Sequence, residues 1–252
     1  MGKLYERDDI YDLLESESRD KITQKHYETV FAGKEIRTLL DVSIGTGSMT
    51  LPLSKLGIQI SGSDLSNKML QRCQAKCDVR NIPITLKCSD FRCITEVFHE
   101  QFDCVCSTGN SLGYVSNDDV LQTLEQMDAL VKNGGYLYLD LRNWDMILKS
   151  KPRYYLYNPV FLGDIRVNLM QFWDYTPDGC VDFNLLYTFE QNNRIVQKEH
   201  FVEHYIPIRY QLIIDKLTDL GYHRIETMLL PAHFEPFDPE TSDWYCIIAQ
   251  KA

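Results

Sequence analysis

Two glycines and an acid within Leu39–Leu70 have the types and spacing of a nucleoside-binding site. The stretch consists of an apolar run, a glycine turn, an amphipathic segment, a second apolar run and a carboxylate. Gly45 and Gly47 let the backbone approach a ligand where a Cβ would collide. Asp64 falls at the expected end of the second strand, where it can accept hydrogen bonds from ribose hydroxyls. The pattern therefore predicts a β-α-β unit with a small-molecule site at its first turn.

The details of the turn indicate which nucleotide it suits. A dinucleotide-binding G-x-G-x-x-G pattern needs a third glycine where Thr50 stands, and the turn contains no Gly-Lys-Ser/Thr triplet of a P-loop. A pyrophosphate cradle is therefore disfavoured, and an adenosine without a diphosphate is favoured. The alternative is that the glycines only make a tight turn between a strand and a helix.

The elements around the turn alternate between strands and helices. One or two helices are expected before residue 37. Strands are expected at 36–42, 58–63, 84–87, 102–107 and 136–141, and helices at 46–55, 66–78 and 120–131. A helix at 208–220 and two strands at 222–229 and 244–249 would add an antiparallel edge. The order predicts an α/β fold with a Rossmann-like, seven-stranded, mostly parallel sheet and helices on both faces.

A different pattern interrupts this alternation. From about Arg153 to Tyr205 the chain has strand-like runs separated by turn residues at 177–179 and 192–193. We predict an antiparallel β insertion of about three strands that forms a lid. The predicted organisation has three parts. Residues 1–150 contain the N-terminal helices and the nucleoside-binding half, residues 151–206 form the substrate lid, and residues 207–252 contain the last helix and the last strands.

Ligands in open α/β sheets bind outside the carboxyl ends of the strands. After the third strand come Asp90 and Phe91, a carboxylate that could accept from an adenine amine and a ring that could stack on the base. Met69 and Leu70 follow Asp64 and could wall the adenine. For both pairs the alternative is an ordinary surface or core role.

Arg142 is the residue best suited to hold a substrate. It follows the fifth strand, and its guanidinium can bind a carboxylate with two parallel hydrogen bonds. Asn110 ends the neighbouring strand and could add an amide donor. The two residues would form a clamp for a small carboxylate, whereas the alternative for Arg142 is a solvent-exposed salt bridge.

Three stretches give the sequence a family resemblance. The segment 41–47 resembles the first motif, D/E-x-G-x-G-x-G, of class I S-adenosylmethionine-dependent methyltransferases. GNSLGY at 109–114, LDLRNWDMIL at 139–148 and the ending FEPFDPETSDWYCIIAQK are similar to stretches of glycine N-methyltransferase and glycine/sarcosine methyltransferases. The likeness covers about residue 39 to the C-terminus and is weakest in the insertion.

The resemblance implies S-adenosylmethionine as cofactor, and a small-molecule methyl acceptor. Matching positions in the family bind the acceptor, and here they are Asn110, Arg142, Tyr205 and Tyr157. The residues expected to bind or surround the cofactor are Asp41, Ser43, Gly45, Gly47, Asp64, Leu65, Met69, Asp90, Phe91, Ser107 and a basic residue of the N-terminal segment, Arg19 or Lys21.

The predicted reaction is methyl transfer to the amine of a small amino acid or related carboxylate. Three departures from the family pattern bear on it: Ser43 replaces the first glycine of the motif, Tyr114 stands where the vertebrate glycine enzyme has a histidine, and Phe237 replaces a hydroxyl-bearing aromatic. Alternatives are another O- or N-nucleophile as acceptor, a nicotinamide-dependent oxidoreductase that Thr50 disfavours, and a non-catalytic cofactor-binding protein. A nucleic-acid methyltransferase is disfavoured because the Asn/Asp-Pro-Pro-Tyr/Phe signature is missing after strand four.

Composition narrows the class of partner. A net charge of −10 without a Lys/Arg run argues against nucleic-acid or anionic-membrane surfaces. The start, MGKLYERDD, has no apolar signal region, and no run approaches a membrane span. The eight cysteines form no CxxC pair, and with the histidines they give no zinc spacing. We expect a cytoplasmic protein with reduced thiols and no metal, and leave open whether it forms a homo-oligomer.

Overall fold

The computed structural model describes Leu4 and residues 7–232 and 236–252. Within these residues the α-helices are α1 Asp8–Tyr11, α2 Glu17–Val30, α3 Asn67–Arg80, α4 Asn117–Ala129, α5 Trp144–Ser150 and α6 Tyr210–Asp219. The strands in the same described ranges are β1 Thr38–Asp41, β2 Gln59–Asp64, β3 Ile84–Cys88, β4 Phe102–Ser107, β5 Val131–Arg142, β6 Tyr154–Leu156, β7 Val160–Leu162, β8 Ile165–Tyr175, β9 Val181–Gln191, β10 Arg194–Tyr205, β11 Tyr222–Leu229 and β12 Trp244–Lys251. Short 3₁₀ helices cover Asp12–Leu14, Leu51–Leu56, Phe91–Glu96 and Ser111–Tyr114.

The main sheet has seven strands in the order β11-β12-β5-β4-β1-β2-β3. Strands β1 to β5 pair in parallel, whereas β12 runs antiparallel to β5 and β11 antiparallel to β12. The predicted α/β fold with a seven-stranded, mostly parallel sheet is therefore confirmed. Strands β2 and β3 are added on one side of β1, and β4 and β5 on the other side, so the strand order reverses at β1. Such sheets bind ligands at this switch point.

Helices bury both faces of the main sheet. On one face, apolar residues of α4 and α6 pack against alternate residues of β4 and β5 such as Val105 and Leu139. On the other face, α2 and α3 pack against Cys104, Cys106 and Tyr138. Every second side chain along these strands enters the opposite core, which is why the parallel strands consist of nearly continuous apolar runs.

A second, antiparallel sheet has the order β10-β9-β8-β6, with β7 also pairing with β8. Its long strands alternate strictly, so Val167, Leu169, Gln171 and Trp173 of β8 are buried while the residues between them are more exposed. Phe183 and Leu185 of β9 continue the same buried face. This face, spanning 154–205, turns toward the carboxyl ends of the parallel strands and lines a cavity there.

Three local features differ from the sequence-based expectations. The helix expected at 46–55 is a turn followed by the 3₁₀ helix Leu51–Leu56, because Pro52 disfavours α conformation at the residue before it and supplies no N–H. The insertion has five strands rather than three, because two short strands, β6 and β7, pair with different parts of β8. Helix α5 was not predicted, although Asn143 caps it by accepting from the Met146 amide.

In the part of the chain that the structure describes, no helix is both long and apolar enough to cross a membrane.

Candidate cofactor and acceptor site

The turn after β1 has the backbone shape that its glycines predict. Gly45 and Gly47 have φ values of 55° and 81°, which side chains rarely adopt. A Cβ on Gly47 would also lie 2.7 Å from Leu51 Cγ and 2.9 Å from Cys73 Sγ. Ser43, in contrast, is not among the described residues with positive φ, so the backbone at this position does not require the glycine of the family motif.

Asp41, the last residue of β1, holds the turn through hydrogen bonds to its side chain. Its carboxylate accepts from the Ser43 amide at 3.0 Å, from the Thr108 hydroxyl at 2.9 Å and from the Thr50 hydroxyl. Burial raises the pKa of Asp41 to about 6, and these three donors oppose that rise. Asp41 lines neither cavity described below, so the structure gives it the role of holding the turn rather than the predicted contact with a cofactor.

Asp64 lies at the carboxyl end of β2, in the cleft beside the turn. Its two oxygens accept from the Gly45 amide at 3.0 Å and the Ser66 amide at 2.8 Å, which fix the carboxylate toward the turn. Burial raises its pKa, against the effect of these amides. Each carboxylate oxygen has a second lone pair, so Asp64 can still accept from a hydroxyl of a ligand.

A cleft of about 620 Å³ opens over the carboxyl ends of β1, β2 and β3. Among the residues that line it are five that the sequence predicted for the cofactor: Ser43, Asp64, Leu65, Asp90 and Phe91. Leu65 is 56% exposed, and it therefore presents an apolar surface to a ligand. The cleft combines apolar walls with the buried Asp64 carboxylate at the end of β2, as an adenosine requires.

The Asp90 carboxylate is already engaged. Arg92 donates to it from Nε at 3.0 Å and from Nη2 at 2.6 Å, and this pairing lowers the pKa of Asp90. Arg92 lines the same cleft, so a base there would meet an ion pair rather than the isolated acid that the sequence predicted.

Four other predicted cofactor residues, Gly45, Gly47, Met69 and Ser107, do not line the cleft. Met69 is fully buried, because the third residue of α3 faces the interior, and its amide is the one that the Ser66 hydroxyl caps. Ser107 is 2% exposed and its hydroxyl pairs with that of Ser43 at 2.9 Å. Ser107 therefore positions Ser43, while Leu65 takes the place expected for Met69.

A second cavity of about 370 Å³ lies under the antiparallel sheet, and Arg142, Tyr157 and Tyr205 line it. Arg142 is 5% exposed, and its Nη1 has no hydrogen-bond partner among the described residues. Its Cζ lies 4.4 Å from the ring centre of Trp244 and 4.9 Å from that of Trp173. The salt bridge considered from sequence is therefore not what holds this guanidinium, which is surrounded by aromatic rings.

Asn110 supports Arg142 from the adjacent strand. It adopts φ 60°, and its Oδ1 accepts from the Arg142 amide at 3.0 Å. Its Nδ2 has no partner among the described residues and would lie 3.0 Å from a Cβ on Gly113, which in turn would lie 3.1 Å from Tyr205. Asn110 is 1% exposed and does not line the cavity itself. Its free amide donor is close to Gly113, which separates it from the Tyr205 ring at the cavity wall.

Asp140, a residue of β5, shapes the turn that contains Asn110. One of its oxygens accepts from the Gly109 amide at 2.6 Å and from the Asn110 amide at 3.3 Å. Burial raises the pKa of Asp140 to about 7, opposed by these two amides. Its other oxygen has no partner among the described residues.

The N-terminal segment contributes to both the turn and the cavity. Asp12 accepts from the Thr46 hydroxyl at 2.7 Å and pairs with Arg72 at 2.8 Å and Lys76 at 3.0 Å, so it ties the segment to the glycine turn and to α3. Tyr11 and Arg19 line the second cavity. Of the two basic residues proposed from sequence, the structure thus places Arg19 at the cavity.

Several cavity residues lie on the inward face of the antiparallel sheet and were not predicted. Gln171 donates to the Tyr157 hydroxyl at 3.1 Å and accepts from Trp173 Nε1 at 2.9 Å. The Tyr205 hydroxyl pairs with that of Tyr114 at 2.5 Å. The alternation of β8, β9 and β10 carries this information, but it becomes useful only when the face that turns toward the main sheet is known. The unpredicted residues on this face are Leu169, Gln171, Phe183, Leu185, Tyr187 and Glu203.

Metal ligands are not grouped in the described part of the chain, where no cluster of three or more His, Cys, Asp or Glu side chains could hold an ion. All eight cysteines are free, and five of them are buried.

A family model described as "Methyltransferase domain" matches residues 39–135, which include the glycine turn and Asp64. The fold is that of CalS10, an amino pentose methyltransferase from Micromonospora echinaspora solved with S-adenosylmethionine bound. The TM-score is 0.73 at 14% identity, over 97% of this chain and 96% of that one. The family model, the relatives and the fold together support a class I S-adenosylmethionine-dependent methyltransferase, an enzyme that uses S-adenosylmethionine as its cofactor.

Within this class the chain resembles enzymes named for small amino acids. It is 28% identical over 221 residues to the glycine/sarcosine N-methyltransferase of Aphanothece halophytica, covering 85% of this chain and 76% of the relative. It is 26% identical over 248 residues to the glycine/sarcosine/dimethylglycine N-methyltransferase of Actinopolyspora halophila, covering 96% of this chain and 40% of that longer relative. The family resemblance predicted from sequence is confirmed.

Proposed function

We propose that the enzyme transfers a methyl group to the amine of a small amino acid or a related small carboxylate. The observation that carries this proposal is the Arg142 guanidinium, which is 5% exposed, has a free Nη1 among the described residues and lines a cavity of about 370 Å³. A buried cation without an anion is costly, and a native structure that retains one usually uses it to bind. A cavity of this size suits a metabolite rather than a macromolecule.

The two cavities would divide the reactants. Ser43, Asp64, Leu65 and Phe91 would hold the adenosine part of the cofactor, and the Gly45 amide of the turn would keep the Asp64 carboxylate in place. Arg19, at the second cavity, would pair with the carboxylate at the other end of the cofactor. When bound, S-adenosylmethionine supplies an already activated methyl group, so no protein nucleophile is needed.

The protein's contribution is positioning and removal of water. Arg142 would fix the acceptor through its carboxylate, and Asn110 Nδ2 would add a donor on the Tyr205 side. Tyr157 and Tyr205 would close the cavity around the acceptor, with their hydroxyls held by Gln171 and Tyr114. An amine fixed in this way needs only a short approach to the methyl group.

The test has two stages. Isothermal titration with S-adenosylhomocysteine, with NAD as the control ligand, measures the cofactor site; we expect binding of the former alone. A methyl-transfer screen then compares small amino acids with amines and hydroxyl compounds that lack a carboxylate. Turnover restricted to amines that carry a carboxylate supports the proposal, whereas turnover of acceptors without a carboxylate would show that Arg142 does not select the substrate.

A further inference from the structure

A carboxylate stands where the pattern of β10 calls for an apolar side chain. Phe201, Glu203 and Tyr205 alternate onto the inward face of the antiparallel sheet, and Glu203 is 2% exposed. The residues between them face outward; His204, for example, pairs with Asp182 at 2.7 Å. Glu203 is thus a buried acid on a face made of aromatic and aliphatic side chains.

No described residue neutralises Glu203. Neither of its oxygens has a hydrogen-bond partner among the described residues. Burial raises its pKa to about 6, despite the lowering effects of the nearby Tyr114 hydroxyl and Leu4 amide. An isolated carboxylate in this position destabilises the fold, so its presence calls for a ligand that offsets the cost.

Glu203 lies where the two cavities meet. The cofactor cleft and the acceptor cavity have two lining residues in common, Tyr114 and Glu203. They therefore mark where the cofactor cleft meets the acceptor cavity. The acceptor atom that receives the methyl group has to lie at this junction.

Arg142 and Glu203 bring opposite charges close to one hydroxyl without binding each other. Burial raises the pKa of Tyr205 to about 12; the Arg142 cation works against this rise and the Glu203 anion adds to it. Both charges are therefore near Tyr205, yet the Glu203 oxygens have no partner and Arg142 Nη1 has none. Two opposite charges kept apart across a cavity match a ligand that carries both.

We propose that Glu203 binds the ammonium group of a zwitterionic acceptor whose carboxylate binds Arg142, and that it takes the proton which the amine must lose. The N–H bond breaks, its electron pair stays on nitrogen as the lone pair, and the proton forms an O–H bond on the Glu203 carboxylate. This inference rests on the proposed function and extends it, because it names the whole acceptor rather than its carboxylate alone. Among the described residues, the titratable groups that face Glu203 include the hydroxyls of Tyr114, Tyr187 and Tyr205.

Matched ligands separate the two charges experimentally. We would titrate glycine, acetate and methylamine, and then alanine, propionate and ethylamine, into the S-adenosylhomocysteine complexes of the wild type and Glu203→Gln. The wild type should bind each amino acid about 10-fold or more tighter than its deamino analogue, since hydrogen bonds to charged groups are strong. Glu203→Gln should lose this preference while keeping its affinity for acetate and for S-adenosylhomocysteine.

The control is Glu190→Gln, the same change on the same sheet at a carboxylate that pairs with Arg166; it should keep the wild-type preference. A second readout is pH: the wild-type preference should fall as pH drops through about 6, where Glu203 takes up a proton, and Glu203→Gln should show no such fall. Circular dichroism of each variant establishes folding.

The outcomes distinguish the two claims. A wild type that binds neither acetate nor propionate overturns the proposed function, and this inference with it. A wild type that binds these carboxylates but binds the amino acids no tighter overturns the inference alone, as does a Glu203→Gln variant that keeps the preference.

Discussion

Replacement of Arg142 by lysine tests whether the cavity recognises a carboxylate by geometry or only by charge. Lysine keeps the positive charge but is a point charge on a flexible stem, so it cannot make the two parallel hydrogen bonds of a guanidinium. Arg142 is the last residue of β5, and Asn110 Oδ1 fixes its backbone by accepting from its amide at 3.0 Å. The substitution therefore changes the donor group and leaves the support unchanged.

The magnitude follows from burial. At 5% exposure, a lost bond to the substrate carboxylate cannot be replaced by bulk water, so the cost lies within the range for hydrogen bonds to charged groups, about 1.5–3 kcal/mol. Loss of one of two bonds should raise KM for the acceptor roughly 10- to 100-fold in Arg142→Lys. Arg142→Ala loses both and should exceed about 100-fold. Affinity for S-adenosylhomocysteine should change less than about twofold, because the adenosine cleft does not include Arg142.

The assay combines steady-state methyl transfer with titration of S-adenosylhomocysteine, and Arg166→Lys serves as the control because Arg166 pairs with Glu190 on the same sheet. The control should leave both measurements unchanged. If a folded Arg142→Lys enzyme loses acceptor and cofactor affinity by the same factor, or keeps the wild-type KM, the carboxylate clamp is refuted.

Three further predictions concern the cofactor turn and the buried acids. Asp64→Ala should weaken S-adenosylhomocysteine binding by roughly 1.5–3 kcal/mol, because it removes a charged acceptor in the cleft; unchanged affinity by titration would refute that role. Gly62→Ala should destabilise the protein by about 1–3 kcal/mol, because a Cβ would lie 2.5 Å from Ile44 Cδ1. Urea unfolding measures that loss, and adding Ile44→Val should recover part of it. Since burial raises the pKa of Asp140 to about 7 in the fold, folding should favour its protonated form. Wild-type stability should therefore fall relative to Asp140→Asn as pH rises from about 4 to 7, and a constant difference in Tm across that window would contradict this.

The main sheet was predictable because each parallel strand is an apolar run followed by a polar residue. Strand β4 has the predicted bounds, 102–107, and Ser66 caps α3 as expected by accepting from the Met69 amide. The rule that ligands bind at the carboxyl ends of strands selected Asp64, Asp90 and Arg142, and each of them lines one of the two cavities.

What the sequence could not supply is how elements that are distant in the chain face one another. Glu203 reads in sequence as one acid in an exposed strand, and only the docking of β10 over the main sheet buries it. Met69 was expected either to wall the adenine or to lie in the core, and only the start of α3 shows that it points inward while Leu65 lines the cleft. The Asp90–Arg92 pair involves two neighbouring residues, yet the conformation of the intervening turn determines whether they meet.

The departure in the glycine motif, Ser43, bears on whether the protein is a catalyst or only binds its cofactor. Ser43 needs no left-handed backbone, and its hydroxyl links the turn after β1 to the turn after β4, pairing with Ser107 at 2.9 Å and accepting from the Thr108 amide at 3.1 Å. Thr50, which disfavours a dinucleotide site, donates to the Asp41 carboxylate that also binds Thr108. Both side chains therefore strengthen the turn rather than weaken it. A protein that only binds a nucleoside would have no use for the separated charges of Arg142 and Glu203 in the adjoining cavity, and these charges favour catalysis on a bound acceptor.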